Sequence, residues 1–88
     1  MKVLSLNCGS SSVKYMLYDW DVKGIIAKGI VERIAIGGSF CVHEVREKDR
    51  IRIDHECPDH ATAIKLIIDT LTYPNYGVIK DISDITAV

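Results

Sequence analysis

Apolar and polar positions alternate along most of this chain, and the places where the alternation stops mark its elements. Residues 2–6 (KVLSL) form a short β-rich run, nearly all apolar, as expected of a strand buried on both faces. Residues 12–19 (SVKYMLYD) read as a second strand, rich in aromatic and β-branched residues. The connection is too short for a crossover helix, so the pair is predicted to be an antiparallel hairpin. A turn at residues 19–24 leads to a third strand at 25–34 (IIAKGIVERI), completing a meander. Gly37 and Gly38 break the chain again, and residues 39–46 and 50–54 read as a further hairpin. There Ile51 and Ile53 alternate with Arg50, Arg52 and Asp54, the period of a strand with one wet face.

The period changes at "CPDHATAIKLIIDTLTY". Pro58 fits a first helical turn, and Asp59 places negative charge at the positive end of the helix. Ala61, Ile64, Ile67, Ile68 and Leu71 fall at helical spacing and predict one apolar stripe. Pro74 and Asn75 end the helix, and residues 77–88 read as a loop with a short element. Strands first and then one covering helix describe an α+β or α/β arrangement, with no repeats or linkers. One amphipathic helix covers one face of such a sheet. At ~25 cal/mol per Å² of apolar surface, leaving the other face in water would forfeit several kcal/mol, so a cover from outside these residues is expected. The ending "DISDITAV" reads like a strand about to start, and a fragment of a longer protein is the expectation.

Composition narrows the function classes. The chain has 88 residues, 48% hydrophobic and 26% charged, a globular balance at a size below the usual domain. Its net charge of −1 comes from 11 basic and 12 acidic residues, interspersed without a stripe or tail, so neither nucleic acid nor an anionic membrane is indicated. The apolar runs are too short to span a bilayer, and no secretory leader pattern follows Met1-Lys2. Cys8, Cys41 and Cys57 are odd in number and widely spaced, which fits a reducing cytoplasm better than a disulfide framework.

The candidate chemistry sits in "LNCGSSSVKY", residues 6–15. Successive backbone N–H groups in a tight turn make a nest that favours an anion. Gly9 allows close approach and unusual backbone angles. Ser10, Ser11 and Ser12 add hydroxyls without bulk, Lys14 adds a charge on the same side as Ser12, and Asn7 offers an oxygen to a hard cation or an amide to a phosphate. This could be a polyphosphate cradle on a β-hairpin. It could equally be a flexible hairpin loop, since Asn, Gly and Ser are common turn residues. It is not a Walker loop, because the GxxxxGK[ST] spacing is absent and no helix follows.

"NCGSSSVK", preceded by "KVLSL", resembles the N-terminal signature of the acetate kinase family, Asn-x-Gly-Ser-Ser-Ser-x-Lys after a first strand. "AKGIVERIAIGGS" is similar to that family's third strand and turn, "DHATAIKLIIDTL" to its first helix, and "YGVIKDISDITAV" to the segment before its next strand. The resemblance therefore runs over essentially all of residues 1–88. It implies part of a ribonuclease H-like, actin-like ATPase domain, the N-terminal portion of the first of two domains that close around ATP. It implies phosphoryl transfer from ATP to acetate with Mg2+. On matching positions, Asn7 would serve the magnesium site, and Gly9, Ser10, Ser11, Ser12 and Lys14 would bind the ATP phosphates. The family's catalytic residues and acyl pocket lie beyond these residues, so no catalytic residue is expected within them and the chain alone should be inactive. Propionate and butyrate kinases carry similar signatures, and a stand-alone module binding a phosphorylated ligand or a partner chain is the alternative from another class. A homodimer, or self-association through an exposed strand edge or apolar face, is also expected.

Other residues have plainer readings. His55, Cys57 and His60 lie close together, but Pro58 interrupts them and a fourth zinc ligand is lacking. Cys8 reads as a small buried hydrophobe, Tyr15, Tyr18 and Trp20 as core and rim aromatics, and Lys48, Arg50 and Arg52 as a solvated hairpin edge. Asp19, Asp21 and Glu32 have no neighbour in sequence that marks them as catalytic.

Overall fold

Strand pairing follows sequence order. The computed structural model describes residues 1–46, 48, 50–73 and 79. It contains β1 (Lys2–Cys8), β2 (Val13–Asp19), β3 (Gly24–Glu32), β4 (Phe40–Val45), β5 (Ile51–Asp54) and α1 (His60–Thr72). The strands form one sheet in the order β1-β2-β3-β4-β5, every neighbouring pair antiparallel. The predicted second hairpin is thus not a separate unit: β4 pairs with β3 and extends the meander.

The register stacks apolar residues on the face that α1 covers. Leu4, Leu17 and Ala27 line up across β1, β2 and β3, and Val13, Val31 and Cys41 line up across β2, β3 and β4. All six are buried, as the period of two along a strand requires of one sheet face. α1 lies across β2 and β3. The expected two-sided burial of β1 is not found. Ser5 is exposed and Val3 and Leu6 are half-buried, because among the described residues β1 is an edge strand and α1 covers one face alone. On the other face Met16 and Ile25 remain exposed, the uncovered side that one helix was expected to leave.

The helix is rotated from its predicted stripe. Its buried residues are Ala63, Leu66, Ile67, Thr70 and Leu71, whereas Ala61 is exposed and Ile64 and Ile68 are half-buried. Thr70 can be buried because its hydroxyl donates to the Leu66 carbonyl at 2.7 Å, leaving no orphaned polar group. Asp59 is the N-cap, and its carboxylate accepts from the Thr62 N–H at 2.8 Å and hydroxyl at 2.7 Å. Pro58 therefore precedes the cap instead of forming the first turn. Tyr73 caps the other end, its N–H donating to the Thr70 carbonyl. The predicted stop at Pro74 and Asn75 lies outside the described residues, as does the 77–88 segment except for Ile79. Ile79 is buried, and its N–H donates to the Leu71 carbonyl.

One close approach holds β2, β3 and β4 together. Gly29 pairs with Tyr15 on one side and His43 on the other, and the Tyr15 ring lies across it to reach His43. The Tyr15 hydroxyl is 2.5 Å from His43 Nδ1 and 3.7 Å from Cys41 Sγ, and the two rings stack at 5.8 Å between centroids. Both side chains are buried. Burial holds the Tyr15 phenol far above its ordinary range and raises the Cys41 thiol, so both stay neutral. A Cβ on residue 29 would meet the Val42 carbonyl oxygen at 2.2 Å and the Tyr15 hydroxyl at 2.4 Å, so glycine is required here.

At the rim, Tyr18 and Trp20 meet edge to face at 5.1 Å. The β5 edge is more organised than a solvated tip: Arg52 stacks 4.0 Å over the Phe40 ring and pairs with Asp54 at 2.9 Å. Among the described residues no helix is long and apolar enough to cross a membrane.

Candidate functional site

The small-residue stretch is shorter as a loop than its composition implies. Asn7 and Cys8 still belong to β1, and residues 9–12 alone connect it to β2. The Gly9 N–H donates to the Ser12 carbonyl at 2.7 Å, closing a hairpin with Ser10 and Ser11 at its tip. Gly9 does not adopt a left-handed angle, as its sequence reading allowed. What it provides is space, since a Cβ there would sit 3.0 Å from the Ser12 hydroxyl.

Two groups from elsewhere in the chain brace this hairpin. The Ile34 N–H donates to the Ser11 carbonyl at 3.0 Å, and His60 Nε2 lies 2.7 Å from the Gly9 carbonyl. A carbonyl can only accept, so the His60 ring carries its proton on Nε2 in this contact. Ile34 is buried in a turn whose neighbours Arg33 and Ala35 have left-handed angles, φ 60 and 69. That turn is itself tied down: Ser39 Oγ donates to the Arg33 carbonyl at 2.8 Å, and Glu56 accepts from the Gly38 N–H at 2.9 Å.

Three of the loop's four carbonyls, those of Gly9, Ser11 and Ser12, are held, and its serine donors are left. Among the described residues, the N–H groups of Ser10 and Ser11 and the hydroxyls of Ser10, Ser11 and Ser12 have no protein partner. Ser10 is exposed, and Ser11 and Ser12 are half-buried. Unpartnered donors beside held carbonyls suit an anion nest.

Asn7 and Lys14 pair directly across β1 and β2, both exposed, on the face away from α1. Directly opposed residues have Cβ atoms roughly 5 Å apart, so the amide and the ammonium act on one volume beside the loop. From Lys14 a groove runs across the same face past Met16, Lys28, Ile30, Val42 and Glu44. All six sequence-predicted residues are therefore in or next to one hairpin.

The remaining candidates are dispersed. Cys8 is exposed at the end of β1, not buried, because the strand runs out from under α1 there. His55 Nδ1 contacts the Glu56 carbonyl, Cys57 is buried with its thiol toward the His55 carbonyl, and His60 faces the loop. Asp19 and Asp21 sit at the other end of β2, roughly 20 Å from the loop at ~3.3 Å per residue. Asp19 accepts from the Asp21 N–H and pairs with Lys2, and Asp21 pairs with the N-terminal ammonium. The braces themselves were not legible in the sequence. His60 is 51 residues from Gly9, and nothing local marks the contact.

A family model described as the acetokinase family matches residues 2–88. The chain belongs to that family. It is 57% identical to an acetate kinase of Geobacter metallireducens over 88 residues, covering 100% of this chain and 21% of the relative. It is 52% identical to an acetate kinase of Moorella thermoacetica, covering 100% and 22% of the two chains. The chain thus spans about a fifth of the length of the curated relatives it matches. Among solved structures, acetate kinase from Porphyromonas gingivalis superposes with a TM-score of 0.94 at 38% identity, over 99% of this chain and 22% of that one. A propionate kinase from Francisella tularensis superposes less well, with a TM-score of 0.72 at 27% identity, over 85% and 19%. The antiparallel sheet and its helix are accordingly consistent with part of the actin-like ATPase domain of this family.

Proposed function

We propose that residues 1–88 are the N-terminal portion of the first domain of an acetate kinase, and that the 9–12 hairpin holds the ATP phosphates. The enzyme would transfer the γ-phosphoryl group of ATP to the acetate carboxylate, giving acetyl phosphate and ADP. One observation carries this reading: beside Lys14 the loop's serine donors have no protein partner, while the carbonyls of Gly9, Ser11 and Ser12 are engaged by the protein. In phosphoryl transfer the protein mainly positions the phosphates and neutralises their charge, and Gly9, Ser10, Ser11, Ser12 and Lys14 are suited to both tasks.

Asn7 suits a magnesium ion in part. Its exposed side-chain oxygen is a hard donor next to Lys14, but one neutral oxygen cannot hold the ion alone. Among the described residues no cluster of acidic, histidine or cysteine side chains supplies the rest. Asn7 would reach the coordination shell of a Mg2+ ion bound with ATP, and that ion would neutralise charge on the phosphate oxygens. The residues described here bind and orient, so this stretch alone would not turn over. The reading places the protein in the cytoplasm, acting on ATP and acetate without nucleic acid or membrane. Residues 1–88 on their own would self-associate through the β1 edge or the uncovered face, which sedimentation would detect.

The better superposition on the acetate kinase than on the propionate kinase supports acetate as the acceptor to test first, with propionate and butyrate as the alternatives. The test uses the complete protein with ATP and each of the three acids, trapping the acyl phosphate as its hydroxamate. The expected result is a kcat/KM at least about tenfold higher for acetate, the scale of one or two misfitting methylenes. A preference for propionate or butyrate would reassign the acceptor. Absence of any ATP-dependent acyl phosphate would overturn the kinase reading.

A further inference from the structure

We propose that His60 is a positioning residue for the phosphate-binding hairpin, locking the Gly9 carbonyl inward so that the serine donors stay turned toward the nucleotide. The proposal rests on the reading of residues 9–12 as the phosphate loop, and adds to it a group outside the signature. A peptide unit that rotates exchanges the directions of its N–H and C=O, so the orientation of a nest is set by what holds its carbonyls. Here each holder is different. The Ser12 carbonyl is held by Gly9 within the loop, the Ser11 carbonyl by the Ile34 N–H, and the Gly9 carbonyl by the His60 ring at 2.7 Å.

The Gly9–Ser10 peptide matters most, because its N–H belongs to Ser10 at the exposed tip. If the Gly9 carbonyl swung outward, the tip would present a partial negative charge to the phosphates in place of a donor. Two of the three holders are backbone N–H groups, which only a proline would remove. His60 is the one side chain among them.

Its own place is fixed by the helix start. His60 is the first residue of α1, directly after the N-cap Asp59, whose carboxylate engages Thr62 twice. His60 is half-buried, so its ring has limited freedom to leave the loop. The contact therefore ties the outer end of the β1–β2 hairpin to the first turn of the covering helix, and Cys57, just before the helix, takes the Ala35 N–H on its carbonyl. The hairpin, the 33–38 turn and the helix start form one braced corner.

The test compares His60→Leu, His60→Gln and Lys14→Ala in the complete protein, reading steady-state kinetics for MgATP and for acetate together with the melting temperature. Glutamine keeps an N–H donor at similar reach and leucine does not. His60→Leu is expected to lower kcat/KM for MgATP about tenfold, the equivalent of one hydrogen bond, with KM for acetate unchanged. His60→Gln is expected to recover to within about threefold of the parent. A merely structural role would lower the melting temperature of both variants and leave MgATP kinetics per folded molecule intact, which would overturn the proposal. Equal loss in His60→Gln and His60→Leu would overturn it too, since the donor would then be irrelevant. Lys14→Ala separates the two levels. If it impairs MgATP use while His60→Leu does not, only the role of His60 fails. If Lys14→Ala leaves MgATP kinetics unchanged, the phosphate-loop reading fails and the positioning role with it.

Discussion

Gly29→Ala is the substitution for which the structure makes the most quantitative demand. The added methyl would lie 2.2 Å from the Val42 carbonyl oxygen, 2.4 Å from the Tyr15 hydroxyl and 2.6 Å from Tyr15 Cζ. Unstrained contacts of this kind sit near 3.5 Å or beyond, so something has to move. The Val42 oxygen belongs to the backbone of a sheet strand, and the Tyr15 ring is held by its contact with His43. The least costly response is for Tyr15 to swing off and β3 and β4 to part locally. Overpacking of this kind costs about 1–3 kcal/mol. Losing the Tyr15–His43 hydrogen bond adds about 1 kcal/mol, and the lower chain entropy of alanine returns about 0.5–1 kcal/mol. The net is a destabilisation of about 1–3.5 kcal/mol. For a urea slope of about 1.5 kcal/mol per molar, the unfolding midpoint should fall by roughly 0.7–2.3 M. The neighbouring Lys28→Ala, on the exposed outer face, should stay within about 0.5 kcal/mol of the parent. In a Tyr15→Leu background two of the three short contacts disappear while the Val42 oxygen remains, so the cost of Gly29→Ala should shrink without vanishing. A midpoint shift below about 0.3 M for Gly29→Ala would refute the close packing of Tyr15 over residue 29.

Two further outcomes follow from the same packing. Leu17 is fully buried between Leu4 and Ala27 under the helix, so Leu17→Ala should cost about 2–5 kcal/mol by chemical denaturation, and a loss under 1 kcal/mol would contradict its core position. The Asp59 carboxyl is held below its ordinary value, chiefly by the Thr62 hydroxyl and then by the Thr62 N–H. A depressed folded pKa means stabilisation that is present above the unfolded value near ~4 and is lost as pH falls through the folded one. Helical circular dichroism and stability of the parent should therefore decline below about pH 4 more steeply than those of Asp59→Asn, which caps without titrating. Parallel profiles would show that the cap carries no charge-dependent part.

How much of this could be read in advance depended on the range of the interaction. The strands were legible because period-two alternation is local, and so was the signature, because Asn7, Gly9, the serines and Lys14 are contiguous or cross-strand neighbours. The helix was legible as a helix but not in its rotation. Ile64, Ile67, Ile68 and Leu71 make a stripe broad enough to dock at more than one angle, and the buried edge was chosen by Ala63, Leu66 and a threonine that satisfies its own hydroxyl. His43 and Tyr15 were illegible as partners because 28 residues separate them and the pairing of β3 with β4 brings them together. The His60 brace was hidden for the same reason: its meaning lies in the carbonyl it reaches, and that carbonyl comes from the first hairpin.

The central claim is that the 9–12 hairpin with Lys14 holds the phosphates of ATP, and one titration tests it directly. Binding of MgATP to the complete protein and to its Lys14→Ala variant should be measured by calorimetry, away from turnover and without acetate. Removing one charged contact to the phosphates should weaken binding at least about tenfold, in keeping with ~1.5–3 kcal/mol for a hydrogen bond to a charged group. Affinity within a factor of two of the parent, in a variant that remains folded, would contradict the claim.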